Sequence, residues 1–207
     1  MAATSWILDH APLGCADADV LELGCGTGRH VGRAIGEGAR SYLGVDGSHG
    51  MLTVAAQRYQ DPRVSFGVVD LTAPFALPRQ FDFALIVLVL EHLPNLDPLL
   101  VSLARSLKPG ARLRIVDLHP ERIAAGSFAH FQDGTRNVHF ASVAHSVQML
   151  LAGLDAVGFE TVRRDWLAGE TMLSAVPGLT KHRGQRLVLD IKATRRARER
   201  RGSGALT

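Results

Sequence analysis

Val20-Leu21-Glu22-Leu23-Gly24-Cys25-Gly26-Thr27-Gly28-Arg29-His30 is the stretch that decides the fold. An apolar run carrying one acid ends in three glycines at alternate positions, and a helical pattern comes next. Val20 to Leu23 predict a buried strand flanked by Asp19 and Gly24. Glycine at 24, 26 and 28 lets the backbone turn sharply and leaves no Cβ to block a ligand lying on the loop. In an α/β chain, such a strand-to-helix turn is a cofactor site or a tight turn that permits close helix packing.

The ligand is narrowed by the residues around the glycines. A dinucleotide turn has the form G-x-G-x-x-G, with a pyrophosphate on the next helix. Here Gly28 comes one residue early, and Glu22 sits where its charge repels a diphosphate and suits a cation. No Gly-Lys-Ser/Thr is present after it, so the Walker pattern is absent. A ligand with an amino group, a ribose and no phosphate is S-adenosylmethionine (SAM). The segment resembles motif I of the class I SAM-dependent methyltransferases, an acid two residues before Gly-x-Gly-x-Gly, matched at Glu22, Gly24, Gly26 and Gly28. Four later stretches resemble the family's further motifs in order, so the resemblance covers residues 19–193.

The first of these is Ser41 to Val45, a second strand closed by Asp46. Nucleotide-binding α/β folds place a ribose-gripping carboxylate about 20 residues after the glycine turn. Asp46 is either that acid or a cap, with Ser48 the alternative N-cap. Next, Val64 to Val69 predict a third strand, with Asp70-Leu71 directly after it. Phe81 to Leu88 are nearly unbroken apolar sequence, as a central parallel strand buried on both faces requires. Their exit, Val89-Leu90-Glu91-His92-Leu93, resembles the family's Leu-x-His exit. Glu91 and His92 are adjacent, so no pairing between them is implied. Lys108-Pro109-Gly110 is a turn before a fifth strand, Ala111 to Leu118. Helical patterns begin at Arg29, run from Met51 to near Tyr59, and cover Pro98 to Leu107 and Ser146 to Val157. Phe159 to Trp166 and Arg186 to Ala193 alternate as the last two strands.

Alternating strands and helices imply a parallel sheet with right-handed crossovers. The resemblance implies a single Rossmann-like three-layer α/β domain. Its seven-stranded, mostly parallel sheet has the order 3-2-1-4-5-7-6, with strand 7 antiparallel. It also implies the cofactor-binding set Glu22, Gly24, Cys25, Gly26, Gly28, Asp46, Gly47, Met51, Asp70, Leu71 and Leu88. In the family the second-strand acid holds the ribose, and an acid after the third strand bonds the adenine amino group. Met51 is either a core residue or the apolar side chain on the adenine.

One stretch breaks the alternation. Residues 117–143 hold His119-Pro120, His130, Phe131, Asp133-Gly134 and His139-Phe140 at the carboxyl edge of the fifth strand, where ligands bind. An irregular insertion of this length is usually functional. It is expected to be a substrate lid carrying phenylalanines 128, 131 and 140. SAM carries an activated methyl group, so the protein aligns a nucleophile and, for a hydroxyl, removes its proton. Histidine has the right pKa. Of His92, His119, His139 and His145, the Asp-x-His-Pro exit and the later His-Ser before a helix resemble a subgroup of small-molecule methyltransferases. His119 and His145 are therefore the catalytic candidates, His119 the preferred base, with backbone capping as the alternative for each.

The chain has 207 residues, a net charge of +3 and two cysteines. That suits one domain at 1–194 and no disulfide scaffold. The longest apolar run is well short of the ~20 residues that span a membrane, and no signal peptide is evident, so the cytoplasm is the expected location. The tight ligand spacings of zinc are missing, and no metal is expected. Basic residues gather at the end, and 195–207 are expected to be a flexible tail. The acceptor is expected to be a small molecule, oxygen before nitrogen, acted on by a monomer or homodimer without membrane or nucleic acid. Two further readings stay open: an RNA methyltransferase gripping phosphates with the tail, and a non-catalytic SAM-binding regulator or partner subunit.

Overall fold

The computed structural model describes residues 7–8, 11–126, 130–133, 136–139, 142–168 and 183–197. In chain order these form β1 (Asp19–Leu23), α1 (Val31–Gly36), β2 (Ser41–Asp46), α2 (His49–Arg58), β3 (Val64–Val68) and β4 (Phe81–Val87). Next come α3 (Asp97–Ser106), β5 (Leu107–Leu118), α4 (Pro120–Ala124), β6 (His130–Asp133), β7 (Arg136–His139), α5 (Val147–Ala156), β8 (Phe159–Ala168) and β9 (Arg186–Arg195). The main sheet has the order β3-β2-β1-β4-β5-β9-β8, and β6 and β7 form a separate hairpin. All pairings from β3 to β5 are parallel, and β9 runs antiparallel to both neighbours. With the hairpin set aside, this is the expected 3-2-1-4-5-7-6 sheet with its reversed seventh strand.

Two cores explain why the central strands show no polar alternation. Ala84 and Ile86 of β4 join Leu21, Leu23, Leu99 and Leu103 on one side of the sheet. Phe83, Leu85 and Val87 join Val20, Val31 and Tyr42 on the other. Successive side chains point to opposite faces, so a strand covered on both needs apolar residues at every place. In β1 one place on the second face is taken by Glu22, which is 1% exposed. α3 contributes Leu99, Leu100 and Leu103 to the first core and starts with proline in its first turn, where the missing N–H costs nothing.

Several boundaries differ from expectation. β5 begins at Leu107, opposite Phe81, and the register shifts before Phe83. The expected Lys108-Pro109-Gly110 turn is thus an irregularity within the strand, with Gly110 at φ +80°. β9 runs to Arg195, whose guanidinium donates to the carbonyls of Val157 and Gly158, both at 2.9 Å. Arg196 pairs with Asp155. The start of the expected flexible tail is therefore docked, because two backbone carbonyls at the end of α5 need donors; residues 198–207 lie outside the described residues.

The segment before β1 is also docked. Leu8, Leu13 and Cys15 are buried in the second core. Glu37 accepts from the backbone N–H groups of Leu13 and Gly14 at 2.9 and 3.0 Å. Arg114, 1% exposed, pairs with Asp190 at 2.9 Å and donates to the Pro12 carbonyl at 2.8 Å. Within 117–143, the described residues include the end of β5, α4 and the paired strands β6 and β7. Phe128, Phe140 and the side chain of Phe131 lie outside the described residues.

Candidate functional site

The order of the strands locates a crevice. β1 and β4 are neighbours, and the connection leaving β1 crosses toward β2 while that leaving β4 crosses toward β5, in opposite directions. Ligands of open α/β sheets bind at such a switch point, outside the carboxyl ends of the strands. The turn after β1 lies there. Gly24, Gly26 and Gly28 all have positive φ, at +73°, +53° and +77°. A Cβ on Gly24 would stand 2.3 Å from the Val89 side chain, and one on Gly28 would stand 3.2 Å from the Tyr59 ring. Gly26 differs: the nearest atom to its Cβ place is the Met51 sulfur at 3.7 Å. Gly24 and Gly28 are thus required by packing, while Gly26 leaves an uncovered cradle beside the half-exposed Met51.

Asp46 ends β2 next to this cradle. One carboxylate oxygen accepts from the Gly26 N–H and the other from the Ser48 N–H, both at 2.8 Å. Each oxygen keeps a lone pair for a further donor. Ser48 is the N-cap of α2, its hydroxyl accepting from the Met51 N–H at 3.3 Å. Gly47 is exposed beside it. Asp70 is exposed, with one oxygen held by the N–H and hydroxyl of Thr72 at 2.8 and 2.6 Å. Those bonds hold its carboxyl below the ordinary carboxylate range. Leu71 beside it is buried.

Glu22 behaves differently from a free anion at the mouth of the turn. It is buried, with one oxygen 2.7 Å from His30 Nδ1 and the other bonded by the Tyr42 hydroxyl. Burial, with the Glu22 charge second, pushes the Tyr42 hydroxyl well above its ordinary value, so it stays a donor. The acid therefore acts under the turn, as a link between β1, β2 and the start of α1. Among the described residues, the buried Nε2 of His30 has no hydrogen-bond partner. Cys25 fills the space that Gly44 leaves, 2.8 Å from where a Cβ would be. Burial, with Glu22 and Asp46 adding, pushes its thiol up to about 12, which makes it an inert filler.

The other wall is the exit of β4. Leu88 has φ +56°, a strained value for a side-chain-bearing residue. Its N–H donates to the Val116 carbonyl at 3.0 Å. Asp117 secures the next residues of the exit: one oxygen accepts from the N–H groups of Val89 and Leu90 at 3.0 and 2.8 Å, the other from Leu118 at 2.7 Å. Glu91 is buried nearby, accepting from the Ser142 hydroxyl at 3.2 Å, while the Val143 N–H donates to its carbonyl. His92 Nε2 lies 3.8 Å from the Glu91 carboxylate. Both residues sit in the 3-10 turn Leu90–His92 that follows β4. Sequence reasoning missed the roles of Asp117, Glu91, His30 and Tyr42. The signal for Asp117 was an acid inside Arg114-Ile115-Val116-Asp117-Leu118, a place a buried strand gives to charge only for a purpose.

The two candidate histidines separate. His145 Nε2 lies 2.7 Å from the Leu93 carbonyl, so that nitrogen carries a proton and donates it to backbone. His145 clamps the descending end of the insertion to the β4 exit. His119 is 4% exposed and caps α4, its Nδ1 accepting from the Glu121 N–H at 3.3 Å. The same Nδ1 lies 3.9 Å from the Glu121 carboxylate. Burial lowers its pKa, with Glu121 opposing and Arg186 adding to the fall. Burial favours its neutral form, which has two tautomers: one caps the helix through Nδ1, and the other carries the proton on Nδ1 and leaves Nε2 able to accept. His119, Pro120, Glu121, Ser146, Arg164 and Arg186 help line an open cavity of about 540 Å³. The cavity is lined from α4 and its cap, the start of α5, β8 and β9, and its described lining includes no residue of the glycine turn. Its strand residues lie on β9 and β8, three and four places from β1 in the sheet order, with His119 at the end of β5 two places away.

Among the described residues, no three His, Cys, Asp or Glu side chains form a metal-holding group. No described helix is long and apolar enough to cross a membrane.

Known proteins share this arrangement. Residues 21–115 match the family described as a methyltransferase domain. A demethylmenaquinone methyltransferase of Tropheryma whipplei is 32% identical over 114 residues, covering 53% of this chain and 46% of the relative. A tRNA U34 carboxymethyltransferase of Glaesserella parasuis is 27% identical over 180 residues, covering 76% of this chain and 54% of the relative. The chain thus spans about half the length of these relatives. In fold, an S-adenosylmethionine-dependent methyltransferase from Mesorhizobium loti superposes with a TM-score of 0.77 at 22% identity, covering 93% of this chain and 98% of that one. The SAH complex of DhpI gives 0.62 at 24% identity, covering 87% and 78%. Residues 21–115 thus match a methyltransferase domain in sequence, and the seven-stranded sheet has the fold of S-adenosylmethionine-dependent methyltransferases.

Proposed function

We propose that this protein transfers a methyl group from SAM to an oxygen of a small-molecule acceptor. The observation that carries the reading is the Gly26 cradle at the switch point, open in front and tied behind to Asp46. SAM bound there supplies an activated methyl group on a sulfonium. Asp46 offers its remaining lone pairs to the ribose hydroxyls. Met51 covers the adenine, and Asp70 bonds its amino group beside the Leu71 backbone. The Gly24, Cys25 and Gly28 backbone shapes the turn, Gly47 leaves room beside Asp46, and Leu88 presents its strained backbone from the opposite wall. Glu22 holds the turn from beneath.

The acceptor occupies the cavity beyond β5. Alignment is the larger part of catalysis for such a displacement, because the methyl group is already activated. His119 handles the hydroxyl proton at Nε2 once its Nδ1 proton is directed at Glu121. His145 holds the insertion closed rather than moving a proton. Residues 117–143 form the substrate lid, and the domain works in the cytoplasm as a monomer or homodimer.

The tRNA-modifying relative favours a second reading, an RNA acceptor. Arg195 and Arg196 are docked on the domain, which leaves the tail arginines outside the described residues as the grip in that reading. Incubation with methyl-labelled SAM and either a metabolite extract or total RNA separates the readings. Label in a low-mass product supports the first, label in RNA the second. No label anywhere despite SAM binding supports a non-catalytic regulator.

A further inference from the structure

Gly24 and Val89 interlock where the glycine turn meets the exit of β4. A Cβ on Gly24 would stand 2.3 Å from one Val89 methyl and 3.3 Å from the other, so Val89 fills the notch that the first glycine leaves. Residue 89 is thereby committed to packing, and it is also the N-cap of the 3-10 turn Leu90–His92. The first N–H groups of such a turn have no partner within it, and an apolar cap cannot accept from them. Val89 makes no capping bond. The acceptor arrives instead from the neighbouring strand. Asp117, 3% exposed near the end of β5, takes the Val89 and Leu90 N–H groups on one oxygen at 3.0 and 2.8 Å, and the Leu118 N–H on the other at 2.7 Å.

A buried carboxylate is costly to keep from water, and an apolar side chain there would cover the core without that cost. What the carboxylate supplies is a fixed place for the backbone it grips. Leu88, directly before that backbone, is held at φ +56°, a strained value that persists only where the surroundings over-determine it. One side chain thus registers Val89, on the side of the glycine turn, against Leu118, the residue before His119. From this arrangement we propose that Asp117 is a positioning residue of the cofactor site: it seats Val89 against Gly24 and so sets the separation of the β4 exit from the glycine turn at which the methyl donor fits. The proposal rests on the methyltransferase reading and adds a residue that acts on the cofactor only through others. Because Asp117 acts on backbone N–H groups, an amide oxygen in the same place serves in part, and a side chain with no acceptor does not serve at all.

The test measures binding of S-adenosylhomocysteine, the demethylated product, to the full chain by calorimetry. Asp117→Val removes both oxygens and keeps a β-branched strand residue; it is expected to weaken binding about tenfold or more, as loss of hydrogen bonds to a charged group does. Asp117→Asn, turned with its oxygen toward Val89 and Leu90, is expected to recover most of that loss. Val89→Ala empties the Gly24 notch and keeps the N–H groups, with a similar loss expected. In the double variant, Asp117→Val should add less than about threefold to Val89→Ala, because both act through one contact. Asp190→Asn breaks the buried pair with Arg114, also on β5, and should lower the melting temperature without changing the affinity. In the wild-type chain, S-adenosylhomocysteine should slow amide hydrogen exchange of Val89 and Leu90, a measurement that decides even if Asp117→Val does not fold. Wild-type affinity in Asp117→Val, an equal loss in Asp190→Asn, additive losses in the double variant, or unchanged exchange at Val89 and Leu90 overturns the proposal and leaves the methyltransferase reading standing. A wild-type chain that does not bind S-adenosylhomocysteine overturns that reading and the proposal with it.

Discussion

The carboxylate of Asp46, at the end of β2, accepts a hydrogen bond from the backbone N–H of Gly26 at 2.8 Å. The acid that faces the ribose in the proposed complex is therefore also the brace of the glycine turn. Asp46→Ala removes both contributions. SAM binding should weaken by about 1.5–3 kcal/mol, the range for hydrogen bonds to a charged group. Calorimetry checks this, and an unchanged dissociation constant removes the ribose role.

The three glycines should respond differently to the same substitution. Gly24→Ala places a methyl 2.3 Å from Val89 at φ +73°, so it should destabilise the fold itself. Gly26→Ala meets only ordinary contact with Met51 and should cost about 1–2 kcal/mol for the left-handed backbone. Gly26→Val should keep the fold and abolish SAM binding, because its branches fill the cradle. Thermal denaturation beside calorimetry separates these outcomes.

Asp117 should make stability fall as pH rises. Burial pushes its carboxyl up to about 7, over the opposing pull of three backbone N–H groups, and the Glu91 charge adds to the rise. A raised folded-state pKa means that the folded chain holds the proton more tightly than the unfolded one. Stability from this group is therefore full below the unfolded value near ~4 and declines between about 4 and 7. Asp117→Asn should be less stable at low pH, since its amide keeps one acceptor oxygen and leaves either Leu118 or Val89 and Leu90 facing an NH2 group, yet should show a shallower decline across that window. Chemical denaturation at a series of pH values from about 4 to 8 gives both slopes.

His119 has two jobs that two substitutions can separate. His119→Asn keeps an N-cap acceptor for the start of α4 but cannot take a proton. His119→Ala loses both. Turnover should fall by about 10²–10⁴-fold in each, the usual contribution of a general base, with SAM affinity retained. Full turnover in His119→Asn shows that the histidine is only a cap.

The sheet was legible because its strands are short apolar runs with glycines or acids at their ends, and because β4 needs apolar residues on both faces. The turn was legible because its chemistry is local: three glycines within five residues. The features that escaped detection were nonlocal. Glu22 reads as a charge at the mouth of the turn, but its partners His30 and Tyr42 arrive from other elements, and only the fold shows that it is buried. The bracing of Gly26 by Asp46 spans 20 residues. Asp117 bonds residues 27 and 28 positions earlier, a link no periodicity encodes. His119-Pro120 marks the start of α4, with proline in the first turn.

The central claim is that the glycine turn holds SAM. Its most direct test is calorimetric titration of the wild-type chain with S-adenosylhomocysteine and, separately, with NAD, repeated on Asp46→Ala. The account predicts one micromolar-range site for S-adenosylhomocysteine, weakened by the substitution, and no heat from NAD. Binding of NAD with none of S-adenosylhomocysteine contradicts it.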